Sequence, residues 1–144
     1  MTTRRKSRES ALQFLYQWDV TQQDVRKGFD HFKEHFLNEG EDPYFERVVQ
    51  GVLSHGQEID RLIEKYSENW RLDRIASIDR TILRMAIFEL LYCEDIPPKV
   101  VLNEAVDLGK HYGSENSGGF INGILDRILN EVVRKPVQPT PMKP

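Results

Sequence analysis

One segment, residues 75–91, constrains the fold more than any other part of the sequence, because it is too apolar to leave a broad face in water. Its apolar residues are Ile75, Ile78, Ile82, Leu83, Met85, Ala86, Ile87, Phe88, Leu90 and Leu91. On an α-helix these side chains surround more than half of the circumference, which is typical of a buried helix. We therefore predict a central helix around which the remaining chain packs.

The rest of the sequence also follows the helical period, and no stretch alternates convincingly between apolar and polar residues. Besides the central helix, we predict helices over residues 7–20, 24–37, from 43, across 59–66, over 98–112 and from about 120. Ser7 is the predicted N-cap of the first helix. The predicted fold is all-α, a compact bundle of about seven helices. Residues 1–135 form a single predicted domain, and residues 136–144, with four prolines, a disordered tail.

Composition restricts the functional classes only partly. The formal net charge of −3 does not by itself suggest nucleic acid, and the 39% apolar content fits a globular protein. No apolar run approaches the ~20 residues needed to cross a bilayer. The first ten residues lack the apolar region of a secretory signal. We predict a cytoplasmic protein without a membrane segment.

Catalytic and metal-binding signatures are weak. No nucleophile elbow, phosphate-binding loop or dinucleotide fingerprint is present. His31 and His35 match a zinc-protease pattern, H-x-x-E-H. The face set by Phe32 and its neighbours turns both histidines toward solvent. We predict no enzyme, no cofactor and no metal site.

A cluster of basic residues opens the chain. Arg4, Arg5, Lys6 and Arg8 all precede the first acidic residue. A local basic patch can bind phosphate on a mildly acidic protein. Tyr16 lies at the edge of the apolar face of the first helix, so its ring is available to a partner. The alternative interpretation of the basic cluster is a solvated, frayed terminus.

A glycine-rich loop leads into the last helix. Asn116, Ser117 and Gly119 lie where that helix begins, and Phe120 follows directly. The start of a helix presents free N–H groups that can hold a phosphate. The alternative is an ordinary loop with Ser117 as N-cap. Single-stranded RNA is commonly bound by cations and stacking rings, but spacing does not show whether this loop adjoins the basic cluster.

Several motifs in fixed order make the chain recognisable. They are residues 5–16 (RKSRESALQFLY), Tyr44-Phe45 with 48–52, residues 78–86 (IDRTILRMA), residues 96–106 (IPPKVVLNEAV) and residues 120–126 (FINGILD). Through these motifs the sequence resembles the NusB antitermination family over about 130 residues. The resemblance implies two helical sub-bundles, no catalysis and no cofactor.

The resemblance also implies a function and partners. Members pair with the ribosomal protein NusE, bind boxA RNA in ribosomal operon leaders, and help RNA polymerase past terminators with other Nus factors. The implied RNA-binding residues are Arg4, Arg5, Lys6, Arg8, Tyr16, Asn116, Ser117, Gly119 and Phe120. The implied partner-binding residues are Tyr16, Asp79 and Asn116.

Two positions depart from the family pattern. Many members carry an acidic residue where Asn116 stands, and often a lysine where Gly119 stands, so the footprint on RNA is expected to differ. Two alternative functions are a purely protein–protein adaptor and an rRNA methyltransferase. The second alternative requires a large catalytic domain with a cofactor fold, which this sequence does not contain. The chain is expected to be a monomer or a homodimer.

Overall fold

A computed structural model of the protein describes residues 3–22, 28–30, 42–68 and 71–133. Within these ranges the chain forms six α-helices with defined bounds, a further helical stretch at residues 28–30, and no strand. The helices are α1 (Arg4–Thr21), α2 (Pro43–Ser54), α3 (Gly56–Tyr66), α4 (Ser77–Tyr92), α5 (Pro98–Tyr112) and α6 (Ser117–Ile128). A 3-10 helix (Leu72–Arg74) precedes α4, and a π-helical turn (Leu129–Val133) continues α6. The predicted all-α fold is confirmed.

Helix α4 is the centre of the bundle. Every residue from 81 to 90 is buried, including the polar Arg84 and Glu89. Helix α4 packs against all five other helices, while α1 also pairs with α2 and α5 with α6. These two helix pairs joined through α4 correspond to the two expected sub-bundles. The apolar segment 75–91 therefore forms the central buried helix that its composition predicts.

Helix α1 begins earlier than predicted. The N-cap is Thr3, whose Oγ1 accepts a hydrogen bond of 3.1 Å from the Lys6 amide. Ser7 is instead buried and donates a 2.8 Å hydrogen bond to the carboxylate of Asp42, which also caps α2 by accepting from the Phe45 amide. The prediction of Ser7 as N-cap was wrong because the hydroxyl has a distant partner. The basic residues consequently stand on the first two turns of a helix.

Two sequence predictions lie outside the described residues. Of the helix predicted over 24–37 only residues 28–30 are described, and they are helical. The tail at 136–144 is not described. No helix among the described residues has both the length and the apolar character that crossing a membrane requires.

Candidate nucleic-acid interface

The first helix and the end of α5 enclose an open groove of about 370 Å³. We call it the Lys6–Tyr112 groove. It is lined by Lys6, Glu9, Ser10, Leu12, Gln13, Tyr16, Ile78 and Tyr112. Successive turns of α1 supply one wall, because residues three or four apart share a helix face. The groove therefore combines a cation, two phenol rings and an apolar floor.

Two predicted site residues, Lys6 and Tyr16, lie together in this groove. Lys6 is exposed, and Tyr16 keeps 37% of its surface in solvent. A cation beside an exposed ring is an arrangement that can bind single-stranded RNA, with the charge near the backbone and the ring near a base. The structure thus brings two of the predicted site residues together in one groove, and their role in RNA binding stays a prediction.

Sequence reasoning missed Tyr112. Its ring is 43% exposed in the same groove, and its hydroxyl donates a 3.2 Å hydrogen bond to Glu9. Partial burial, with the nearby Glu9 carboxylate, raises the pKa of Tyr112, so the ring stays neutral. The available signal was the Lys110-His111-Tyr112 run at the end of a predicted helix. Only the fold shows that this run faces α1.

The loop of residues 113–116 adjoins the groove, because Tyr112 directly precedes it. Ser117, the first residue of α6, is buried and donates a 2.6 Å hydrogen bond to Asp79 Oδ1. Its Oγ also accepts a 2.9 Å hydrogen bond from the Ser114 amide. Asp79 follows Ile78, a groove residue, so α4 holds the loop beside the groove. The two regions that the sequence could not relate are therefore neighbours.

Asp79 and Ser117 do not have the positions expected of contact residues. Asp79 is only 9% exposed, and Ser117 is 1% exposed. Their polar atoms bind each other, so the expectation that Asp79 faces a partner surface is corrected to a role in positioning the loop. The exposed members of the loop region are Asn116 and Gly119. Asn116 is the N-cap of α6 and makes no side-chain capping bond. The alternative that made Ser117 the N-cap therefore placed the cap one residue too late.

Phe120 stands apart from the groove residues. Its ring is half-buried and packs against the core. A Cβ on the neighbouring Gly119 would meet no atom within 4 Å, so the surface there is open. The structure therefore brings Lys6, Tyr16 and Tyr112 together in the groove, and Phe120 is not among the residues that line it.

Arg4 and Arg5 are exposed but already paired. Arg4 Nη2 lies 3.0 Å from Asp95 Oδ2, and Arg5 Nη2 lies 2.9 Å from Glu104 Oε2. Arg5 also contacts Asp107 at 3.1 Å. The hydrogen bond that Arg5 donates to Glu104 is the main cause of the raised pKa of Arg5. Both arginines reach solvent, but each must give up its contact with a carboxylate before it can bind a phosphate.

Arg8 differs from the other basic residues, because its side chain is only 5% exposed. Its Nε donates a 2.9 Å hydrogen bond to Glu89 Oε2 in α4. An RNA phosphate cannot reach this guanidinium without breaking a buried ion pair. The expectation that Arg8 contacts RNA is therefore corrected, since its helix face turns it toward α4.

Among the described residues, no group of three His, Cys, Asp or Glu side chains is placed to bind a metal ion. The histidine pair of the zinc-protease pattern, His31 and His35, lies outside the described residues.

Comparison with known proteins identifies the family. The model of the NusB family matches residues 5–130. The transcription antitermination protein NusB of Desulfosudis oleivorans is 44% identical over 137 residues, covering 92% of this chain and 88% of that protein. The structure of T. maritima NusB matches with a TM-score of 0.83 and 36% identity, over 93% of this chain and 95% of that one.

A second solved structure contains partners. It is the crystal structure of the antitermination factors NusB and NusE in complex with dsRNA, and its matching chain aligns with a TM-score of 0.76 and 31% identity. The alignment covers 87% of this chain and 94% of that one. The chain therefore belongs to the NusB family, which is non-enzymatic, as its motifs and its lack of a catalytic signature predicted.

Proposed function

We propose that this chain is a transcription antitermination factor that binds boxA-type single-stranded RNA of ribosomal operon leaders together with the ribosomal protein NusE. Family membership supports the proposal, as does the related complex that contains NusE and dsRNA. In this account the chain works in the cytoplasm, as a monomer or a homodimer, within an RNA polymerase complex that includes other Nus factors.

The observation that carries the proposal is the convergence of Lys6, Tyr16 and Tyr112 in one groove. A base stacked on an exposed aromatic ring contributes about 1–3 kcal/mol, and any base can stack. Lys6 meets the phosphate between stacked bases. The groove is open along one side, as a strand without a partner strand requires.

The loop and helix start extend the surface. Asn116 and the exposed Gly119 offer the free end of α6, where backbone N–H groups attract anions. The absence of a side chain at Gly119 leaves room for a backbone phosphate or a base edge. Asn116 carries no charge, so it does not repel RNA as the acidic residue expected in many relatives would. Tyr16 and Asn116 remain the proposed contacts to NusE.

A second function, a protein–protein adaptor that never contacts RNA, is favoured by the ion pairs of Arg4 and Arg5. Each arginine is neutralised by an acidic neighbour, so the patch has less free charge than the sequence suggests. The two functions differ in what removal of the N-terminal cations does. The adaptor predicts no effect on RNA, because none is bound.

A gel-shift assay with boxA-like RNA, with and without NusE, tests the proposal. The triple variant Arg4→Gln, Arg5→Gln, Lys6→Gln should lose about tenfold or more in affinity, since one charge-assisted hydrogen bond contributes about 1.5 kcal/mol. The control is Arg61→Gln, which removes an exposed cation from α3 outside the groove. Equal affinities for the triple variant and the control would show that the N-terminal cations do not contact the RNA. Absence of a shift in the wild type with NusE would reject RNA binding and favour the adaptor.

A further inference from the structure

Two arginines from different helices converge on one exposed carboxylate beside the start of α1. Arg47 of α2 binds Asp95 through Nη2 at 2.9 Å and Nη1 at 3.3 Å. Arg4 binds the second oxygen of the same carboxylate at 3.0 Å. Asp95 belongs to the turn between α4 and α5. Its two oxygens are thus shared between two guanidinium groups.

We propose that Arg4 and Arg47 form a phosphate-binding site, at present occupied by Asp95, which extends the RNA path from the Lys6–Tyr112 groove to α2. We call it the Arg4–Arg47 site. The inference rests on the proposed function, and it adds a contact, Arg47, that neither the sequence motifs nor the basic cluster indicated.

The chemistry of the site matches a phosphodiester. A phosphate offers two non-bridging oxygens with shared negative charge, and guanidinium groups bind such oxygen pairs in a planar, bidentate manner. Asp95 presents the same two-oxygen arrangement. The hydrogen bond from Arg47 holds the pKa of Asp95 far below its ordinary value, so the internal occupant is an anion at neutral pH.

The site persists without Asp95, because both guanidiniums also rest on the Tyr44 ring. Arg4 Cζ lies 4.7 Å and Arg47 Cζ 5.7 Å from the ring centroid. Such cation–π contacts are attractive even at exposed positions. The Tyr44 hydroxyl donates a hydrogen bond to buried Glu89, which also accepts one from Arg8. These bonds hold the Tyr44 ring on its buried side. Arg8, unable to contact RNA itself, thereby supports residues that can.

Displacement of Asp95 is inexpensive. The side chains of Arg4, Arg47 and Asp95 are 49%, 39% and 48% exposed. Solvent-screened ion pairs of this kind contribute little to stability. A phosphate of an RNA strand already held in the groove is present at high effective concentration and can replace the carboxylate.

The two substitutions at this site should have opposite effects, which a structural role would not produce. In filter binding of boxA-like RNA with NusE present, Arg47→Gln should weaken binding about two- to fivefold. It should also make the salt slope shallower by about 0.7. Asp95→Asn should tighten binding by a similar factor, because the internal competitor is gone. In the double variant Arg47→Gln, Asp95→Asn, the gain in RNA affinity that Asp95→Asn alone produces should largely disappear.

Matched controls separate this site from general charge effects. Arg61→Gln removes an exposed cation, and Asp73→Asn removes an exposed anion from the 3-10 helix. Arg47→Lys, which keeps the charge, should restore the salt slope. Thermal unfolding shows whether each variant is folded. If Asp95→Asn does not fold, Asp95→Ser replaces it as the variant without the carboxylate.

Three results would overturn the inference. The Arg4–Arg47 site is contradicted if Arg47→Gln binds RNA like Arg61→Gln. It is also contradicted if Asp95→Asn binds RNA no tighter than Asp73→Asn. Either result leaves the proposed function standing. A wild-type protein that fails to bind the RNA with NusE contradicts both.

Discussion

The hydroxyl of Ser117 and the carboxylate of Asp79 form a 2.6 Å hydrogen bond that joins the start of α6 to the start of α4. Both residues are buried, and the same hydroxyl accepts from the Ser114 amide. Nearby Gly113 leaves space for this arrangement, since a Cβ there would lie 2.3 Å from Ser117 Oγ. The loop beside the Lys6–Tyr112 groove is therefore held by a bond that the sequence motifs do not specify.

Removing the Ser117 hydroxyl should destabilise the protein. Ser117→Ala leaves a buried carboxylate and an amide without this partner, which costs about 1–3 kcal/mol. Urea denaturation measures the change in the free energy of unfolding. Ser114→Ala is the control, because this residue is exposed and its loss should cost about 0.5 kcal/mol or less. Equal losses for both variants would contradict the role assigned to Ser117.

Asp19 joins the end of α1 to α4 through three donors. Its carboxylate lies 2.5 Å from Arg80 and 2.8 Å from Arg84, and it accepts a 2.6 Å hydrogen bond from Ser77. Burial would raise the pKa of Asp19, but the hydrogen bonds from Arg80, Ser77 and Arg84 outweigh it and lower the pKa below 3.8. The ionised form is thus favoured by folding.

The lowered pKa predicts a pH-dependent effect of Asp19→Asn. At pH 7 the variant should be less stable by about 3 kcal/mol, the lower end of the cost of breaking a buried ion pair. The unfolded chain binds a proton near pH 3.8 that the folded chain does not. The difference between wild type and variant should therefore shrink as pH falls below about 4. A difference that is constant between pH 7 and pH 3 would contradict this assignment.

Two helical glycines should respond oppositely to alanine. A Cβ on Gly51 would lie 2.1 Å from Phe88 Cε1, so α2 and α4 approach too closely for a side chain. We expect Gly51→Ala to lose about 1–3 kcal/mol through overpacking. Gly56, at the start of α3, has no atom within 4 Å, and Gly56→Ala should gain about 0.5 kcal/mol by restricting the unfolded chain. Thermal unfolding compares the two, and a stable Gly51→Ala variant would refute the close approach.

Arg8 and Lys6, two residues apart, should separate stability from binding. Arg8→Met leaves Glu89 buried without its cation and should cost about 3 kcal/mol of folding free energy. Lys6→Gln should leave stability within about 0.5 kcal/mol of wild type, because the side chain is exposed. In the RNA assay Lys6→Gln should weaken binding. Greater destabilisation by Lys6→Gln than by Arg8→Met would contradict their placement.

The sequence predicted most of the helices because their signals are local. The apolar segment 75–91 predicted α4, and Asp42 with Pro43 correctly predicted the start of α2. The start of α1 was misplaced because Ser7 has a distant partner, Asp42, which local patterns cannot show.

The same distinction applies to the candidate site. Lys6 and Tyr16 were predictable as neighbours because they lie on one helix. Arg8 was misassigned because its partner, Glu89, is 81 residues away in the chain. Tyr112 and Arg47 were missed because their importance arises only when α2 and α5 pack beside the start of α1.

The salt dependence of RNA affinity tests the central claim most directly. With Arg8 buried, at most three N-terminal cations, Arg4, Arg5 and Lys6, can neutralise phosphates on a single strand. In filter binding of boxA-like RNA with NusE, these three cations should contribute −0.7 × 3, about −2, to the slope of the logarithm of the association constant against the logarithm of salt concentration. The Arg4→Gln, Arg5→Gln, Lys6→Gln variant should therefore have a slope that is shallower than that of the wild type by about 2, because only cations outside the N-terminal cluster, such as Arg47, remain. A wild-type slope near zero would contradict the account.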